Sequence, residues 1–230
     1  MVENNARWCD AVCRSHGLAT RLVDDLWVAP HGSPRFYPDA ITLRPGVSAG
    51  DVVTGMPDAA ESVKDSFARL ALLPHGFDVL FDAHWIVHDA PALAAPALDW
   101  TSVRTEAEFV AWTAAAGLAG IIRLGLLVDP AIRIFAGRAN RDGPIIAGFT
   151  ANATGGVVGV ANVFSGPPDA QVVWHDVRAV LAAAFPGRQI VGYEQGDPLD
   201  DAIESGFSLL LGTLPSRGPR PTAPVRPTGQ

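Results

Sequence analysis

Residues 145–214 constrain the fold more than any other part of the chain, because short β-branched runs alternate there with amphipathic segments and turn residues fall between them. Residues 144–151 form one extended run. Asn152, Thr154, Gly155 and Gly156 make a turn tolerant of positive φ, and residues 157–164 follow as a second run. The pattern predicts a hairpin with a loop longer than minimal. Ser165, Gly166, Pro167 and Pro168 break the sheet, and Asp169 caps a helix in which Val173, Val177, Val180, Leu181 and Ala184 recur every three or four residues. Pro186 and Gly187 end that helix. Residues 189–194 read as a short buried strand, 198–205 as a short helix and 207–211 as a further strand. A helix of this length between two strands predicts a right-handed crossover and a parallel pair.

In this order the elements resemble the second half of the GNAT (Gcn5-related N-acetyltransferase) fold, an α/β fold with a twisted mixed sheet flanked by helices. The resemblance extends upstream. Residues 98–104 look like the family's first strand and 105–116 its first helix, where Thr105 and Glu108 form a capping box and Phe109, Trp112 and Ala116 the inner face. Residues 131–139 would be the second strand, closed by a turn over 140–143. The resemblance covers residues 97–215, about half the chain.

Earlier residues read as a helix over 4–16 stopped by Gly17, a strand over 20–29, a strand over 40–44 antiparallel to it, and a short helix capped by Ser48 with Asp51. Ser62 is expected to cap a longer helix over 63–73, followed by Gly76, Phe77 and a strand through Val87. Helix, Gly-Phe and strand thus occur twice, at 63–81 and 198–211, which predicts two GNAT-like halves with the first shortened. The expected layout is a half over 1–90, a linker over 91–97, a GNAT-like domain over 98–214 and a disordered tail over 215–230.

The net charge of −7 is unevenly placed: the tail holds Arg217, Arg220 and Arg226 and no acid, so the rest of the chain carries −7 − 3 = −10. An acidic body does not suit nucleic acid, whose binding is dominated by phosphate neutralisation. The longest apolar runs fall far short of the ~20 residues of a membrane span, and the N-terminus has no apolar signal core. A cytoplasmic protein with a small-molecule substrate is expected, without nucleic-acid or membrane partners; self-association into a homo-oligomer stays open. Cys9 and Cys13 read as half-buried reduced thiols, and no metal-ligand pattern is present.

The resemblance implies acetyl-coenzyme A or another acyl-coenzyme A as donor and an amine as acceptor. In the family a loop of the form Gln/Arg-x-x-Gly-x-Gly/Ala holds the coenzyme diphosphate on backbone N–H groups at a helix start. The corresponding residues here are Ser165, Gly166, Pro167, Pro168, Asp169, Ala170 and Gln171. The prolines have no N–H, Asp169 is negative where phosphates would sit, and neither Arg nor Lys is present. The family's general-acid tyrosine position falls on Ala202 or Ile203, so no catalytic residue carries over there. The loop at 44–50, with Arg44, two glycines and the cap Ser48 ahead of a helix, is a second candidate anion site.

Other candidates come from position. Asp82 and His84 share a face of their expected strand, where the carboxylate would orient the imidazole as a general base; the competing reading is a solvent-facing surface. Glu194, at the end of its strand, lies where the family's fourth and fifth strands part, and can hold an ammonium group or take its proton; the competing reading is a turn over 194–197 with Asp197 as helix cap. Asn162 and Tyr193 are the expected substrate-binding neighbours. His88 and Asp89 are assigned to the linker, and His175 and Asp176 to a helix surface. Three functions stay open: acyl transfer to an amine of a small metabolite, other small-molecule chemistry without coenzyme A, and a non-catalytic binding or scaffold role.

Overall fold

A computed structural model of the protein describes residues 1–57, 60–89, 95–166 and 170–210. The tail over 215–230, Pro167, Pro168, Asp169 and part of the expected linker lie outside the described residues.

The chain runs α1 (Val2–Ser15), β1 (Arg21–Val23), β2 (Leu26–Val28), β3 (Ala40–Thr42), α2 (Ala49–Gly55), β4 (Val63–Lys64) and β5 (His84–His88). It continues through β6 (Asp99–Ser102), α3 (Glu106–Ala115), β7 (Ile132–Arg138), β8 (Ala147–Thr154) and β9 (Val157–Ser165). The last elements are α4 (Ala170–Ala184), β10 (Gln189–Glu194), α5 (Gly196–Glu204) and β11 (Ser208–Leu209). They form two compact units. The larger holds residues 3–8 and 83–210, and the smaller residues 9–82.

The larger unit is a seven-stranded sheet in the order β11-β5-β10-β9-β8-β7-β6. Only β9 and β10 are parallel; the other neighbours are antiparallel. Alternation along β8 turns Phe149 and Ala151 to one face, where Val173, Trp174, Val177 and Leu181 of α4 cover them. Gly148 turns to the other face, where Trp112 of α3 lies so close that a Cβ at 148 would meet its indole nitrogen. Trp112 is wholly buried and donates its Nε1–H to the Phe135 carbonyl at 2.9 Å. The Thr105–Glu108 capping box starts α3 as expected. One difference lies in the hairpin, where Thr154 pairs directly with Val157, so β8 and β9 are joined by Gly155 and Gly156 alone, with Gly155 at φ 58°.

The smaller unit has the sheet order β1-β2-β3-β4 around a core of Leu26, Val28, Ala40 and Val52. The strand expected over 20–29 is a hairpin turned at Asp24, at φ 51°. No helix forms over 63–73. Instead the Asp65 carboxylate accepts from the amides of Phe67, Arg69 and Leu70 at 2.6–3.1 Å, which fixes a turn. Residues 76–83 also carry no strand, so helix, Gly-Phe and strand do not recur in the first half as the two-half expectation requires. The strand that does form in the expected 76–87 stretch, β5, pairs between β10 and β11 of the seven-stranded sheet.

Candidate functional site

The sheet is unpaired at one place in its middle. β9 and β10 share only three rungs, Gln189↔Val157, Ile190↔Val158 and Val191↔Gly159. Both strands run on, β9 to Ser165 and β10 to Glu194, yet β10 bonds onward only to β5 on its other side. Past Gly159 the edge of β9 that faces β10 therefore has no ladder partner among the described residues. A notch opens between two parallel strands at their carboxyl ends, the place where α/β sheets bind ligands.

A bulge shapes the β9 side of this notch. Gly148 pairs with Phe164 but Thr150 pairs with Ala161, so Asn162 and Val163 together oppose the single residue Phe149. Asn162 takes the left-handed conformation at φ 53°, which Asn tolerates better than most residues. Its Nδ2 donates to Thr150 Oγ1 at 3.1 Å, and that hydroxyl donates to the Ala161 carbonyl at 2.9 Å.

Register sorts the β10 side by face. Glu194 lies directly across from His84 and Tyr193 from Trp85. Ile86 and Ile190 belong to the core under α4, so alternation puts Glu194 and His84 on the α4 face and Tyr193 and Trp85 on the α3 face. The Trp85 and Tyr193 rings lie 4.7 Å apart and tilted. Asn162 reaches toward Thr150 on the α3 face. The expected binding residues Asn162 and Tyr193 thus share one face, and Glu194 and His84 the other.

Asp82 is a correction. β5 begins at His84, leaving Asp82 exposed ahead of the strand, so strand alternation no longer pairs it with His84. The carboxylate opposite His84 is Glu194. Asp197 lies inside the first turn of α5, whose cap position is Gln195, and so does not cap that helix.

Sequence reasoning missed two groups. His88 is the last residue of β5, not part of a linker. Its Nδ1 lies 3.1 Å from the Gly206 carbonyl, and its Nε2 accepts from Arg178 Nε at 3.1 Å. Burial, then the neighbouring Arg178 charge, lowers its pKa and keeps the ring neutral. Asp176, expected on a surface, is fully buried and accepts from the amides of Ala97 and Leu98 and from Trp100 Nε1 at 2.7–2.9 Å. Neither had a local signal, since the hydrogen-bond partners named for each lie far away in sequence. The cysteines are free and buried; burial pushes the Cys9 thiol up to about 12. At the 44–50 loop the amide and hydroxyl of Ser48 are both given to the Asp51 carboxylate, which stands where an anion would bind.

An acyl-coenzyme A fits this site only in part. The free edge of β9 suits an extended chain bearing amides, as the pantetheine arm does. The diphosphate finds little to hold it. The Gly166 N–H is spent on the Ile146 carbonyl at 2.6 Å, and Gln171 Nε2 on the Glu204 carboxylate at 2.8 Å. Pro167 and Pro168 have no N–H to offer. Among the described residues no group of His, Cys, Asp or Glu could hold a metal ion, and no helix is long and apolar enough to cross a membrane.

No family model and no curated protein matches the chain. Solved structures do. A GCN5-related N-acetyltransferase from Kribbella flavida matches with TM-score 0.54 and 18% identity, over 89% of this chain and 91% of its own. A structure assigned to the GNAT acetyltransferases, from Novosphingobium aromaticivorans DSM 12444, matches with TM-score 0.54 and 16% identity, over 91% and 94%. A conserved protein of unknown function from Staphylococcus epidermidis ATCC 12228 matches with TM-score 0.57 and 8% identity, over 84% and 90%. The chain has the GNAT fold. The likeness spans most of the chain, well beyond the residues 97–215 legible in its sequence.

Proposed function

We propose that the protein transfers an acyl group from a thioester donor to an amine of a small molecule, with the notch between β9 and β10 as the donor site. One observation carries this reading: the parallel ladder ends at Val191↔Gly159 while both strands continue, leaving a backbone edge for an extended donor. Glu194, at the β10 rim of the notch, is the proton acceptor. The amine nitrogen bonds to the thioester carbonyl carbon, the carbon–sulfur bond breaks, the sulfur leaves as thiolate and the amine's proton passes to the Glu194 carboxylate. His84, across the strand pair, orients that carboxylate. Tyr193 and Asn162 contact the acceptor from the α3 face.

Calorimetric titration with acetyl-coenzyme A, and separately with acetyl-pantetheine, tests the reading. Micromolar binding of either supports it. Binding of neither retires acyl transfer in favour of other small-molecule chemistry or a binding role on the same scaffold.

A further inference from the structure

The bulge in β9 lies between ladder pairs to β8, Gly148↔Phe164 and Thr150↔Ala161, and the Thr150 side chain adds bonds to Ala161 and Asn162 at its start. Thr150 Oγ1 has one hydrogen, and it goes to the Ala161 carbonyl at 2.9 Å. The hydroxyl can then only accept from Asn162, so the Asn162 amide must present its NH2 to it, as the 3.1 Å contact shows. Both bonds sit against a threonine only 1% exposed, where water does not compete for them. The clamp acts on the one residue of the strand with positive φ. It lies three residues beyond Gly159, where β9 loses its partner β10. On its β10 side this stretch has no ladder, so the β8 pairs and the Thr150 bonds together fix the backbone at Asn162.

The geometry points to Thr150 as a positioning residue: by clamping Asn162 in its left-handed conformation, it sets the course of the β9 edge that faces the notch and so preorganises it for an extended, amide-bearing donor. This rests on the notch being the donor site. Thr150 itself touches no ligand; it works through Asn162 and Ala161.

Thr150→Val keeps the side-chain volume and removes the hydroxyl, Thr150→Ser restores the hydroxyl, and Asn162→Gly keeps positive φ accessible without the clamp. Two readouts are taken: the amide–Hα coupling at residue 162 by NMR, which reports φ without ligand, and calorimetric affinity for acetyl-coenzyme A. In Thr150→Val the coupling should move from its left-handed to its extended value and the affinity should fall about tenfold. Thr150→Ser should recover both, and Asn162→Gly should bind between the two. If Thr150→Val keeps the left-handed coupling, or binds as tightly as wild type despite a lowered melting temperature, Thr150 is an ordinary core hydroxyl and the inference fails. A Thr150→Val chain too unstable to purify leaves Asn162→Gly to decide, where wild-type affinity overturns the clamp. A wild-type protein that binds no acetyl-coenzyme A sinks the donor-site reading instead, and the positioning role with it.

Discussion

Arg178 donates its Nε–H to Nε2 of His88 at 3.1 Å, and this bond fixes the tautomer of the imidazole. An arginine cannot accept, so Nε2 carries no proton, and the proton on Nδ1 is given to the Gly206 carbonyl at 3.1 Å. Arg178 also bonds the Ser205 carbonyl, so one imidazole and one guanidinium hold β5, α4 and the turn after α5 together. Protonating His88 would break its bond from Arg178 and set two cations side by side. Its pKa is lowered in the folded protein, so the unfolded chain takes up the proton first. The stability from the neutral ring is complete above the unfolded pKa of about 6.5 and is lost as pH falls from there to the folded value. Urea midpoints between pH 7.5 and 5 should decline in wild type and decline less in His88→Gln. Equal slopes would remove His88 from the account.

Glu194 separates catalysis from packing. It is half-buried at a strand end, and glutamine matches its shape. Glu194→Gln should lower the rate of acyl transfer about a hundredfold or more, as loss of a general base does. The melting temperature should stay within about 2 °C of wild type, as expected for a substitution that leaves the core intact. A large fall in melting temperature would mark the carboxylate as a structural partner of β5.

The local signals in the sequence were legible where local physics decides. The Thr105 capping box, the apolar period of α4, the extended run of β8 and the β-branched run of β9 all form close to their expected places. Ser62 looked like a helix cap, but its hydroxyl is bonded to the Asp39 carboxylate at 3.0 Å, and Asp65 captures the amides that a helix would have used. Both are side-chain bonds that compete with the helix ladder. The place of β5 had no local signal, because its partners on β10 lie about a hundred residues on. The notch was legible only through resemblance: sequence named Glu194 and Asn162, but Thr150, which holds the bulge, reads as any strand threonine.

Asp176 illustrates the same blindness and carries a prediction. Its buried carboxylate satisfies the backbone amides of Ala97 and Leu98, ahead of β6, and the indole N–H of Trp100 in β6. Asp176→Ala would leave three donors without their acceptor and should cost about 3 kcal/mol or more. Urea denaturation reads this directly. A loss under about 1 kcal/mol would mean that water reaches the donors.

The N-terminal turn of α1 is tied to β8, the neighbour of the strand β9 that borders the notch. Asn4 Nδ2 donates to the Asn152 carbonyl at 2.8 Å, and Asn152 Nδ2 donates back to the Asn4 carbonyl at 2.9 Å. Both amide oxygens crowd the space over Gly159, where a Cβ would collide with them. Gly159 is also the last β9 residue paired to β10, so this contact sits at the vertex of the notch. Gly159→Ala should therefore cost roughly 1–3 kcal/mol by overpacking. Asn4→Ala removes one of the two obstructing oxygens while leaving its own carbonyl to accept from Asn152. The double variant should then be more stable than the sum of the single losses implies, with a coupling of about 1 kcal/mol or more in a double-mutant cycle. Additive losses would show that Asn152 alone excludes the side chain, and that α1 does not press on the vertex.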